Sequence, residues 1–173
     1  MLKLAAALFL IFGGTGIGYA GSRELTEWEK DLETLLQLFI FLKGEIRCSN
    51  SSLPDAFRGI SAKICPPFRE ILRETATEME KSDGRTLEEI LTSCGEKRLR
   101  GKGRAGKEEL GILKLLGSRL GYLDRETQLA QIELLETDVG ERRRQLKEKL
   151  PEQKKIRQTL GILGGILLAV LFW

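Results

Sequence analysis

Covalent chemistry needs a nucleophile, a base or a metal centre, and this chain supplies few of them. Its 173 residues include no histidine, which removes the commonest general base and the commonest metal ligand. Ser–His–Asp and Cys–His sets are therefore out of reach. The three cysteines, Cys48, Cys65 and Cys94, form no Cys-x-x-Cys pair. An odd count without that spacing reads as free thiols of a reducing compartment rather than disulfides or zinc ligands. Gly13-Gly14-Thr15-Gly16 lies inside an uncharged run, and no Gly-x-x-x-x-Gly-Lys-Ser/Thr phosphate loop occurs. Carboxylates such as Glu133 and Glu136 sit at helical spacing from other charges and read as solvated faces. Asn50-Ser51-Ser52 matches a glycosylation sequon, but so short a match carries little. The chain is expected to be no enzyme and to hold no cofactor or metal; its work is binding and assembly.

The elements that position such surfaces are read from charge and periodicity. Two uncharged stretches bound the chain, Leu4–Ser22 and Thr159–Trp173. The first has 19 uncharged residues, about 28 Å of helix, close to the roughly 30 Å of a hydrocarbon core. A cleaved signal peptide is the competing reading, since Gly18-Tyr19-Ala20 resembles a cleavage site. Charge favours an uncleaved anchor. Arg23, Lys30, Arg142, Arg143, Arg144, Lys147, Lys149, Lys154, Lys155 and Arg157 lie between the stretches, and outside them only Lys3 and the amino terminus are basic. The positive-inside rule then places residues 23–158 in the cytoplasm. The second stretch has 15 residues, about 22 Å of helix, so it must thin the bilayer, borrow length from 156–158 or lean on the first. Trp173 is expected at the far interface. Gly14 and Gly18 in one stretch, and Gly161 and Gly165 in the other, have the small-xxx-small spacing that lets membrane helices approach closely, here as an antiparallel hairpin.

Between these ends the chain reads as all-α, an antiparallel helical bundle of about six helices flanked by two transmembrane helices. Leu25, Trp28, Leu32, Leu35, Leu36, Phe39 and Leu42 recur at helical spacing over residues 23–47. Leu38 and Phe41 widen that face, either as core or as a surface for a partner, with core favoured. Ser52 or Leu53 precedes Pro54, which suits the first turn of a helix. Phe57, Ile60 and Ile64 follow, and Pro66-Pro67 ends that helix. Residues 68–81 form the next helix. Thr86-Leu87-Glu88-Glu89 is a capping box. Residues 108–120 are helical, with Gly121 available as the left-handed residue beyond the end. Asp124 is an N-cap for the last helix, which Pro151 is expected to kink or interrupt.

Gly95 to Lys107 breaks the composition. It holds four glycines and six basic residues against the single acid Glu96. A mobile basic loop is expected at 95–107. Its Arg98, Arg100, Lys102 and Arg104 are candidates for anionic lipid head groups, against a plain solvated loop. Nucleic acid is not expected: the net charge is only +3, and no aromatic residue is interleaved for stacking.

Several blocks, taken in order, resemble a known family. They are Met1-Leu2-Lys3-Leu4, Leu42-Lys43-Gly44-Glu45-Ile46, Leu53-Pro54-Asp55-Ala56-Phe57, Leu116-Gly117 through Leu120-Gly121 and Asp124 to Gln128, and Leu160-Gly161 through Gly164-Gly165-Ile166. Over essentially its whole length the chain resembles the stage III sporulation protein AB family of endospore-forming bacteria. That resemblance implies a cytoplasmic helical domain like those of type II secretion F proteins, in a membrane protein of the mother cell. It implies a place in the channel complex between mother cell and forespore, with other stage III membrane proteins. The expected partner is a cytoplasmic sporulation ATPase, stage III protein AA, which the chain would dock or stimulate. Contact candidates by motif position are Leu53, Pro54, Asp55, Ala56, Phe57, Gly117, Leu120, Gly121, Asp124 and Gln128, although fold-building explains the same residues. Self-association stays an open expectation. Two alternatives remain: a scaffold acting through anionic lipid on its basic loop, or a platform protein of another secretion or pilus system. The 95–107 segment and Pro151 depart from the family pattern.

Overall fold

The computed structural model describes residues 2–48, 52–81, 83–120 and 124–171, and their side chains apart from those of 2–22, 157–158, 161, 165–166 and 168–171. Among the described residues the secondary structure is entirely helical. The helices are α1 (Leu2–Cys48), α2 (Leu53–Ser61), α3 (Phe68–Glu80), α4 (Leu87–Leu99), α5 (Gly103–Leu120) and α6 (Arg125–Leu171). The chain divides into two compact units, one of residues 1–31 with 142–173 and one of residues 32–141.

The unit of residues 32–141 holds most of the core. Leu32, Leu35, Leu38, Phe39 and Leu42 of α1 are fully buried, as are Phe57 and Ile60 of α2, Phe68, Ile71 and Leu72 of α3 and Leu91 of α4. Each such side chain contributes roughly 1.5–3 kcal/mol of transfer free energy. Successive helices pack on one another from α2 to α5. Within this unit α1 and α6 run antiparallel: Lys43 pairs with Glu136, and four residues further along α1 Arg47 pairs with Glu133 at 3.2 Å. In the unit of residues 1–31 and 142–173, Arg143 Nε donates to Glu29 Oε1 at 2.8 Å. Leu25 and Leu146 are buried.

Caps set the boundaries. Thr86 and Glu89 close the capping box, the Glu89 amide donating to Thr86 Oγ1 at 3.2 Å and the Thr86 amide to Glu89 Oε2 at 2.8 Å. Ser52 is the N-cap of α2 and accepts from the Asp55 amide. That helix stops at Ser61, where the Ser61 hydroxyl bonds the Arg58 carbonyl at 2.7 Å, ahead of Pro66.

The structure corrects two expectations. Residues 95–107 are not a loop: α4 runs to Leu99 and α5 begins at Gly103, five residues before the expected start. The glycines there let the two helices touch. A Cβ at Gly95 would meet Leu110 Cδ1 at 2.8 Å, and one at Gly106 would meet the Leu99 carbonyl oxygen at 2.6 Å. Second, α6 passes through Pro151 without interruption. Pro151 is exposed, so water can take the carbonyl its ring leaves unbonded. The favoured core reading holds for Leu38, while Phe41 is half-buried with the Lys63 ammonium 5.5 Å from its ring centre.

Among the described residues no helix is long and apolar enough to cross a membrane. The expectation for Leu4–Ser22, and most of that for Thr159–Trp173, falls on residues outside the side-chain description. The stretches do not form separate helices: their described parts belong to α1 and α6.

Candidate functional site

At the α5–α6 corner, the motif residues build the turn. Gln128 Nε2 donates to the Leu120 carbonyl at 3.0 Å, filling one acceptor that the end of α5 leaves open. Asp124 caps α6, its Oδ2 accepting from the Thr127 amide at 3.2 Å. Hydrogen bonds from the Thr127 side chain and amide hold the Asp124 carboxyl below its ordinary range. The Arg119 guanidinium bonds Gln131, and the Arg125 guanidinium bonds the Arg47 carbonyl, so the corner is tied to α6 and to the end of α1. Leu120 is buried, and Gly117 is packed against α4. Gly121 and its expected left-handed conformation lie outside the described residues.

The second candidate block divides into two. Ala56 and Phe57 are core, whereas Leu53 and Pro54 are half-buried and Asp55 is exposed beside Arg58. Only the latter three are placed to meet a partner.

The basic residues sit on a folded corner between α4 and α5. Three of the four lipid candidates are engaged by acids: Arg98 by Glu74 of α3, Arg104 by Glu108 at 3.0 Å, and Lys102 by buried Glu109 at 3.9 Å. Arg100 closes α4 in extended geometry and lines a groove of about 680 Å³ with Lys97 and Lys107. Sequence reasoning counted Lys97 and Lys107 in the basic segment but did not single them out. Only the helical phase of α4 and α5 puts them in the groove, and a loop assignment conceals that phase.

A further surface lies near the end of α6. Ile156, Leu160, Leu163 and Leu167 recur at helical spacing, and all four are at least half exposed, from 50% at Ile156 to 66% at Leu167. Gly14, Gly18, Gly161 and Gly165 are in helical segments, and their packing lies outside the described residues. No group of three metal-ligating residues occurs among the described residues.

A profile of the stage III sporulation protein AB family matches residues 3–173. The chain belongs to this family. Stage III sporulation protein AB of Bacillus subtilis (strain 168) is 25% identical over 178 residues, an alignment covering 99% of each chain. Membership makes this a stage III sporulation protein, and the match runs across both helical units and both uncharged ends. No solved structure matches the chain.

Proposed function

We propose that the protein is a non-enzymatic assembly component of the sporulation machinery, anchored in the mother-cell membrane by its two uncharged ends. The exposed stripe Ile156–Leu160–Leu163–Leu167 carries this reading. Four large aliphatic side chains on one face are costly in water and suit acyl chains. The basic residues flanking the two ends, from Arg23 and Lys30 to Lys154, Lys155 and Arg157, then lie on the cytoplasmic side.

In this reading the uncharged ends and the cytoplasmic domain share the continuous helices α1 and α6, which join the domain to its anchors. The domain docks a sporulation ATPase, stage III protein AA, and passes its action to other stage III membrane proteins of the mother cell–forespore channel. It would serve as a platform in the manner of type II secretion F proteins. The accessible contact candidates for such docking are Leu53, Pro54 and Asp55, with Asp124 and Gln128 at the α5–α6 corner.

The test is co-purification of the full chain from membranes with the ATPase, combined with thiol labelling of Cys48 and Cys65. Both thiols are exposed, whereas Cys94 is buried. Labelling from the cytoplasmic side alone, with retention of the ATPase, is the expected result. Labelling from the opposite side overturns the topology, and loss of the ATPase overturns the docking.

A further inference from the structure

The groove at the α4–α5 corner presents Lys97 and Arg100 from the end of α4 and Lys107 from the first turns of α5. None of the three carries an ion pair among the described residues, although neighbouring Arg98, Lys102 and Arg104 all do. Glu96 is the one acid in the lining, so the groove keeps an excess of two positive charges. Unpaired cations held close together in a concavity repel one another and are better accommodated with a bound anion.

The backbone adds to this field. The 18-residue helix α5 begins at the groove with no acid in its first turn, so the positive end of its dipole is unanswered by its own side chains. Gly101 and Gly103 line the wall with φ of +94° and +59°. Without side chains, they leave the backbone open to an approaching oxygen. Leu99 and Leu110 complete an apolar side.

We propose that this groove is an anion site that takes a phosphate group. The Arg100 guanidinium supplies a planar fork, and Lys97 and Lys107 act as point charges around it. The groove is larger than one phosphate, and its Leu99–Leu110 side accommodates the organic body attached to it. The source is either a lipid head group or a soluble phosphoanion, and the chemistry is shared. This site is separate from the motif residues assigned to ATPase docking and does not rest on that reading.

The experiment follows amide hydrogen exchange of residues 97–107 in the full chain, held in neutral detergent. One arm adds pyrophosphate, and the other dopes the micelles with phosphatidylglycerol, with phosphatidylcholine as the control lipid. Slower exchange at 97–107 is expected in at least one arm. Slowing with pyrophosphate assigns a soluble phosphoanion, and slowing with phosphatidylglycerol alone assigns a lipid head group. The triple variant Lys97→Gln, Arg100→Gln, Lys107→Gln should weaken binding by about tenfold or more. An equal loss of charge at Arg58, Lys63 and Lys81, which have acidic partners elsewhere in the same unit, should leave it within about twofold. If neither probe slows exchange, or both triple variants weaken binding alike, the site is disproved.

Discussion

Gly117 of α5 lies so close to the start of α4 that a Cβ added to it would sit 2.6 Å from Glu88 Cα and 2.9 Å from the Glu88 amide nitrogen. The obstruction is backbone, which cannot rotate aside. Gly117→Ala should therefore destabilise the chain by about 1–3 kcal/mol. Gly111, on the same helix, has nothing within 4 Å of its added Cβ. Gly111→Ala should stabilise by about 0.5–1 kcal/mol, through the backbone entropy that alanine gives up less of. Thermal unfolding of the two variants in neutral detergent should show shifts of opposite sign; shifts of the same sign would remove the close approach as an explanation.

The α1–α6 pairing in the 32–141 unit predicts coupled charges. Lys43 and Glu136 are mostly shielded, with side chains 19% and 28% exposed. Lys43→Glu alone should destabilise by about 1 kcal/mol, and adding Glu136→Lys should restore most of the loss. A double-mutant cycle by denaturant unfolding measures the coupling, and additive effects would break the assigned register.

Acid should loosen the α3–α4 connection. Hydrogen bonds from Lys81 and then Arg85 pull the Glu78 carboxyl down from 4.5 to about 2. Asp83 is also lowered, chiefly by the Arg85 amide. A carboxylate depressed on folding contributes stability that is complete above its ordinary pKa and is lost as pH falls toward its folded value. The Glu78 contribution is thus present above pH 4.5 and lost on descent toward about 2. Unfolding curves across that window should converge for the wild type and Glu78→Gln as the pH drops. A constant gap between them would contradict the assignment.

Fold and contact can be separated inside one motif. Phe57 is fully buried, so Phe57→Ala should cost about 3–5 kcal/mol and lose any partner by unfolding. Asp55 is exposed. Asp55→Ala should leave the melting temperature within a few degrees. Retention of the ATPase on membranes is then the readout that decides whether Asp55 touches it.

The sequence by itself determined the helical class, the phase of α1 and most caps. Thr86 with Glu89, and Asp124 before α6, are local devices in which three or four residues satisfy one another's backbone groups, so they are legible without the fold. Apolar spacing likewise placed Leu32, Leu35, Phe39, Phe57 and Ile60 in the core. Family membership was legible because short blocks kept their order along nearly the whole chain. The tertiary structure alone decided what the glycines mean. Composition cannot tell a glycine that loosens a loop from one that lets two helices touch, and Gly95 and Gly106 are of the second kind. It also decided which cations are free, because the acid that engages Arg98 sits on a different helix, 24 residues away. Pairs such as Arg104–Glu108 fit within one helical turn. The Arg98–Glu74 pair and the contact of Gly117 with Glu88 instead join surfaces brought together by folding, and no short window along the chain contains both partners.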